Sequence, residues 1–291
     1  MKTIYKIFIG TIFSLLLLSS CTERIDVKLG ETYDRLIVEG NITTDTIEHS
    51  FYLSKTSSYF ANQPSPKISG ASILLEDDLG NTTKLTETEP GHYITPNNFF
   101  GIPERTYQVQ IDLNESIGEN KSFEASSKLV SVNPIDSIGI AFNKFMGRHG
   151  FWFVKLYAKD PAGVENYYMF RVFNNGQLLS DTLDKVSLTD DRLFDGNYTY
   201  GIGVAYFEHV DDKPPFKIGD TVVLQMSGLT KEQFVYLNEV IRATSFQNPM
   251  FGGPPANVKG NINHGAFGYF GAYSTTYSSL IITEDNIDYI E

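Results

Sequence analysis

One cysteine occurs in the 291 residues, Cys21. It closes a short apolar leader, so everything after it must fold without an intrachain disulfide. Exported domains commonly lean on such bridges, and here side-chain packing has to supply the stability instead. The material is present: 21 Phe and 17 Tyr stand against a single Trp, Trp152. Aromatic and β-branched residues suit the half-buried surface of a pleated sheet, so a mainly β fold is expected.

The leader has three parts. Lys2 and Lys6 flank its start, an apolar run extends from Ile7 to Leu18, and Leu18-Ser19-Ser20-Cys21 ends it. A basic region, a short apolar region and a small-residue cleavage site together read as a secretory signal peptide. A membrane-spanning helix needs roughly 20 apolar residues, and here polar Thr22, Glu23 and Arg24 follow at once. The tetrapeptide resembles a bacterial lipobox, in which the cysteine thiol is acylated and the chain is cut just before it. Residues 1–20 are therefore expected to be removed and Cys21 to carry lipid such as palmitate. Each buried CH₂ adds about 0.8 kcal/mol, so several acyl chains on one residue anchor firmly. Losing Lys2 and Lys6 takes the formal charge from −12 to −14. That acidity argues against nucleic acid as a partner.

Thr22 to Tyr33 lacks a sustained period, and residues 21–34 read as a tether. From Leu36 the pattern changes to short alternating runs: Leu36–Gly40, Ser50–Ser54, Ala71–Glu76, His92–Ile94 and Thr106–Ile111. Turn-forming Gly, Pro, Asn and Asp separate them, which indicates a β-sandwich of immunoglobulin-like or transthyretin-like type over 35–132. Asn133-Pro134 marks a break, because proline lacks an N–H and restricts its predecessor. A second β-rich domain is expected over 133–291. Within it Trp152–Ala158 and Tyr167–Phe173, joined through Asp160-Pro161-Ala162-Gly163, read as a hairpin, and Asp220–Met226 as a further strand.

One helix is expected. Thr230-Lys231-Glu232-Gln233 has the form of a capping box, and Phe234, Leu237 and Ile241 make one apolar stripe behind it. After the helix come Asn248–Val258, rich in Pro and Gly, and Gly265–Tyr273, where aromatics and small residues interleave. Glycine inside a strand marks a bulge or a close approach by another backbone or a ligand. Phe251, Pro254, Pro255, Asn257, Tyr269 and Tyr273 are the candidate ligand or partner surface, with rings able to stack on sugars or bury against a protein.

Several of these segments recur together in one family. The Cys21-Thr22-Glu23 start, Ile37-Val38-Glu39-Gly40, Asp160–Gly163 before Tyr167-Tyr168, Pro254–Ile262 and Gly268–Tyr273 resemble an uncharacterised outer-membrane lipoprotein family of Bacteroidota, domain of unknown function 4249. The resemblance implies an outer-membrane lipoprotein, on the periplasmic or the cell-surface face, often encoded beside a TonB-dependent receptor. It implies no activity and supplies no catalytic residues.

The residues themselves offer little chemistry. No Gly-x-Ser-x-Gly elbow, phosphate loop or His-Glu-x-x-His motif occurs, and acylation would consume the one thiol. Glu208-His209 with Asp211 and Asp212 reads as a solvated acidic loop more than a metal site. Asp190, Asp191 and Asp195 have the oxygen-rich look of a calcium loop without its spacing or closing Glu, and no metal or cofactor is expected. Asp-Ser/Thr-apolar triplets make Ser137 and Thr182 candidate O-glycosylation positions. The expectation is a non-enzyme: an accessory or ligand-binding partner of a TonB-dependent receptor in nutrient uptake. An envelope hydrolase acting on glycan or peptide, and a structural or adhesive protein, are the rival expectations.

Overall fold

Strands account for about half of the described backbone in the computed structural model, which describes residues 34–57, 63–245 and 258–290. The first half contains β1 (Leu36–Thr43), β2 (Ser50–Lys55), β3 (Ser72–Asp77), β4 (Thr82–Lys84), β5 (Thr86–Glu89), β6 (His92–Ile94), β7 (Thr106–Ile117) and β8 (Asn120–Lys128). The second contains β9 (Ser137–Asn143), β10 (Phe151–Tyr157), β11 (Tyr167–Asn174), β12 (Gln177–Leu178), β13 (Ser187–Asp190), β14 (Ile202–Glu208) and β15 (Thr221–Leu229). Helix α1 (Lys231–Thr244), β16 (Phe267–Ile281) and β17 (Ile287–Ile290) complete it. The expected mainly β class is what the chain adopts. Among the described residues no helix is long and apolar enough to cross a membrane.

A nine-stranded sheet runs in the order β12-β11-β15-β16-β1-β2-β6-β5, with β13 also paired to β11. Two four-stranded sheets back it: β4-β3-β7-β8 and β14-β10-β9-β17. Alternation then places one side of each strand in a core. Val38, Ile42, Phe51 and Phe270 of the long sheet meet Ile73, Val109, Ile111 and Phe123 in one cluster. Phe170, Val172, Val222 and Leu224 meet Ile140, Trp152, Val154 and Leu156 in the other. The two cores change over near Asn133-Pro134. The 15-residue strand β16 belongs to both: Phe270 and Ala272 lie in the first core and Leu280 packs against the second. Residues 34–291 accordingly fall into one compact unit.

The seam that makes this possible is the parallel pairing of β1 with β16, from Ile37↔Phe267 to Thr43↔Tyr273. Its backbones approach closely at Gly268, which has φ +89°. A Cβ there would lie 1.9 Å from the Val38 carbonyl oxygen. Both the left-handed backbone and the contact demand glycine, as the interleaved glycines of this stretch suggested.

Two local expectations change. β10 and β11 do not form a hairpin: β10 pairs with β9 and β14, whereas β11 pairs with β12, β13 and β15. The connection after Ala158 crosses from one layer of the second sandwich to the other, and local turn chemistry cannot tell a crossing from a return. The tight turn falls instead at Asn175 (φ +50°) and Gly176 (φ +80°), between β11 and β12, as two positive φ values require. The capping box closes by half. Thr230 Oγ accepts the Gln233 backbone N–H at 3.2 Å, but the Gln233 side chain turns to the sheet, donating to Asn41 Oδ1 at 3.4 Å.

Asp77 anchors the β3–β4 turn. Its buried carboxylate accepts from the backbone N–H groups of Leu79 and Asn81 and from the Asn81 amide, and it pairs with Arg105. Burial pushes its pKa up, but these donors outweigh that and hold it at about 2. A depressed folded pKa contributes stability above the unfolded value of about 3.9 that is lost as pH falls towards 2. Asp77→Asn is expected to cost about 2 kcal/mol at pH 7 in denaturant unfolding. The gap to wild type should narrow between pH 4 and pH 2, and an unchanged gap would contradict the assignment. Gly268→Ala should lower stability by about 3 kcal/mol or more, read as a fall in melting temperature.

Candidate functional site

Helix α1 lies on the outer face of the long sheet, the face turned away from both cores. Phe234 packs on Tyr167 with ring centroids 4.9 Å apart, and Leu237 joins a small cluster of Met169, Leu229 and Tyr273. Beside this contact the helix stands off the sheet and leaves a cavity of about 500 Å³. Its floor is made of outward residues of three strands: Arg171 from β11, Phe267 and Tyr269 from β16, and Ile37, Glu39 and Asn41 from β1. Gln233, Tyr236, Leu237 and Val240 of α1 form the wall, with Leu183 and Val258 at the rim. The size and the mixture of apolar wall and few polar groups match a small-molecule site.

The polar atoms of this face are under-satisfied. Among the described residues five buried side-chain N or O atoms lack a hydrogen-bond partner, and four sit here: Arg171 Nε, Gln225 Oε1, Ser227 Oγ and Gln233 Oε1. Gln225 stands opposite Arg171 across the β11–β15 pair, and Ser227 opposite Met169. An unmade hydrogen bond on a buried group costs about 1–3 kcal/mol, and of these four residues Arg171 and Gln233 line the cavity. Gln233 itself is 3 % exposed. Gly271 makes its position possible, because a Cβ there would lie 2.3 Å from Gln233 Nε2 and 2.4 Å from Asn41 Oδ1. Tyr236 and Tyr269 stack at 4.7 Å, and burial raises the pKa of both hydroxyls, keeping them protonated donors at neutral pH. Alongside the cavity, Tyr277 O–H donates to Asp45 Oδ2 at 2.6 Å and accepts from Gln225 Nε2 at 2.7 Å.

The sequence-derived candidates divide. Tyr269 lines the cavity. Tyr273 is 4 % exposed and packed among Met169 and Leu229, so its ring belongs to the interior. Phe251, Pro254, Pro255, Asn257 and Cys21 lie outside the described residues. Ser137, at the start of β9, and Thr182, just before a 3₁₀ turn at Leu183–Lys185, are both exposed.

Asp191 and Asp195 do come together, joined by Asp160, with one carboxylate oxygen of each within 4.8 Å of the others. Asp190 instead pairs with Arg192 at 2.8 Å. Each member of the trio already holds protein donors. Asp160 accepts from the Tyr168 hydroxyl (2.5 Å) and the Gly196 N–H (3.0 Å), Asp191 from the Asn166 N–H (2.7 Å), and Asp195 from the Gly163 N–H (2.7 Å). The trio thus ties the 160–166 connection to the 191–197 loop. His209 Nδ1 accepts the Trp152 indole N–H at 3.1 Å, which occupies that lone pair.

Glu39, Asn41, Arg171 and Gln233 were not legible as a site beforehand. On β1 the polar outward residues between Val38 and Ile42 look like any solvated strand face, and Gln233 resembled a capping residue. One signal was present: Arg171 interrupts an apolar run from Tyr167 to Phe173.

The chain belongs to the family described as domain of unknown function DUF4249, whose model matches residues 22–279. No curated protein matches it.

Burial raises the Asp160 pKa, and the Tyr168 hydrogen bond opposes that rise. A folded pKa above the unfolded one contributes stability at low pH that is lost as pH rises through it. Tyr168→Phe removes the opposing donor and should cost about 2 kcal/mol at pH 7. The deficit should shrink as pH falls to 4, because protonated Asp160 no longer needs that donor; chemical denaturation at the two pH values checks this.

Proposed function

We propose that the protein is an outer-membrane lipoprotein, anchored through acylated Cys21, that binds a ligand in the α1 groove as the accessory of a TonB-dependent receptor. The observation that carries the binding role is the pair of buried, unpartnered atoms lining the groove, Arg171 Nε in its floor and Gln233 Oε1 in its wall. A fold gains nothing from leaving such atoms unpaired, whereas a ligand gains specificity from meeting them. The lipobox-like Leu18-Ser19-Ser20-Cys21 and the acidic mature chain support a location held by lipid rather than by basic contacts with the membrane.

Binding fits the groove better than turnover. Glycoside hydrolysis in its usual form needs two carboxylates flanking the scissile bond, and among the described lining residues Glu39 is the only carboxylate.

The test is affinity purification of the tagged full chain from host outer membranes in mild detergent. A TonB-dependent receptor should co-purify, and palmitate label should be present in wild type and lost in Cys21→Ala. Recovery of the chain without any receptor would overturn the accessory role, and label retained by Cys21→Ala would overturn the anchor.

A further inference from the structure

The chemistry of the groove walls restricts what can occupy it. Arg171 makes no ion pair among the described residues, and its buried Nε has no partner. A guanidinium is charged at every accessible pH and only donates, so its complement is an anionic acceptor. Gln233 Oε1 and the Glu39 carboxylate only accept, and they ask the occupant for donors. Arg171 and Glu39 stand on strands separated by β15 and β16, three inter-strand spacings or about 14 Å along the floor. The side chains that complete the groove, Ile37 beside Glu39 on β1 and Tyr236 and Leu237 of α1, are apolar or aromatic. Such walls lower the local polarity and strengthen a charge pair formed against them.

We propose that the groove takes a small organic acid, its carboxylate held by Arg171 and its hydroxyl or amine donors received by Gln233 Oε1 and Glu39. This deepens the binding role above and rests on it. A carboxylate fits better than a phosphate: one guanidinium matches a planar monoanion bidentately, while a dianion would leave negative charge uncompensated in a groove that already contains Glu39. Acidic sugars and short peptides with a free C-terminus both present this chemistry, and either fits about 500 Å³.

The experiment is calorimetric titration of the full detergent-solubilised chain with two matched pairs of probes. One pair is galacturonate and its methyl ester; the other is trialanine with a free and with an amidated C-terminus. At least one free acid should bind with saturable heat, and its neutral counterpart should bind about tenfold more weakly or worse, as expected for a lost charge-assisted pair. Which pair responds identifies the source of the carboxylate. Arg171→Met should abolish that binding and Arg171→Lys should weaken it about tenfold, because the planar fork is lost. Near-ultraviolet circular dichroism confirms that each variant is folded, and the probe comparison on wild type stands without them. Equal binding of acid and neutral probe, wild-type affinity in folded Arg171→Met, or no binding of either acid would each overturn the proposal. Receptor recovery without acid binding would remove the ligand class alone, and acid binding without receptor recovery would remove the accessory role alone.

Discussion

The parallel seam between β1 and β16 holds the molecule together. Consecutive strands form hairpins easily, but β1 and β16 are separated by more than 220 residues, and closing so long a loop is an entropic cost that only a large buried surface offsets. That surface is the first core, where Val38 and Ile42 from one end of the chain meet Phe270 and Ala272 from the other. Because β16 continues past the seam to pair with β15, the same strand also carries one wall of the second core. Gly268 is the point at which this arrangement is tightest, with the Val38 backbone where a side chain would otherwise be.

The proposed ligand groove lies on the other face of that seam. Alternation sends Val38 and Phe270 inward, so Glu39, Asn41 and Tyr269 must face outward. Helix α1 covers them incompletely. Its Phe234 and Leu237 reach Tyr167 and the Met169–Leu229–Tyr273 cluster, which fixes one edge of the helix, while Gln233 leans across Gly271 to Asn41. The gap that remains is walled by groups the fold itself does not satisfy. A helix with a broader apolar stripe would have closed the gap; one buried residue in α1, and that a glutamine, is too little.

The acidic trio Asp160–Asp191–Asp195 plays a different part. The carboxylates resemble a cation loop in sequence, yet backbone and tyrosine donors occupy them. They bind two loops together at the place where the chain passes from β10 to β11 between layers. A buried carboxylate is tolerated there because the Tyr168 hydroxyl and the Gly196 amide replace the water it gives up.

Local patterns in the sequence were enough to find many of the strands, the helix start at Thr230 and the glycine constraint in Gly265–Tyr273. Each depends on residues a few positions apart, where steric preference and alternation act directly. The single cysteine, Cys21, is likewise read from the sequence alone, and it excludes an intrachain disulfide. Partner choice was another matter. That β10 and β11 lie in different sheets, that β1 pairs with β16, and that Gln233 abandons its cap for Asn41 depend on which buried surfaces find one another. The groove is the extreme case. Glu39, Arg171 and Gln233 come from three distant segments, each unremarkable alone, and only the stacking of strands β11-β15-β16-β1 beneath α1 brings them to one cavity.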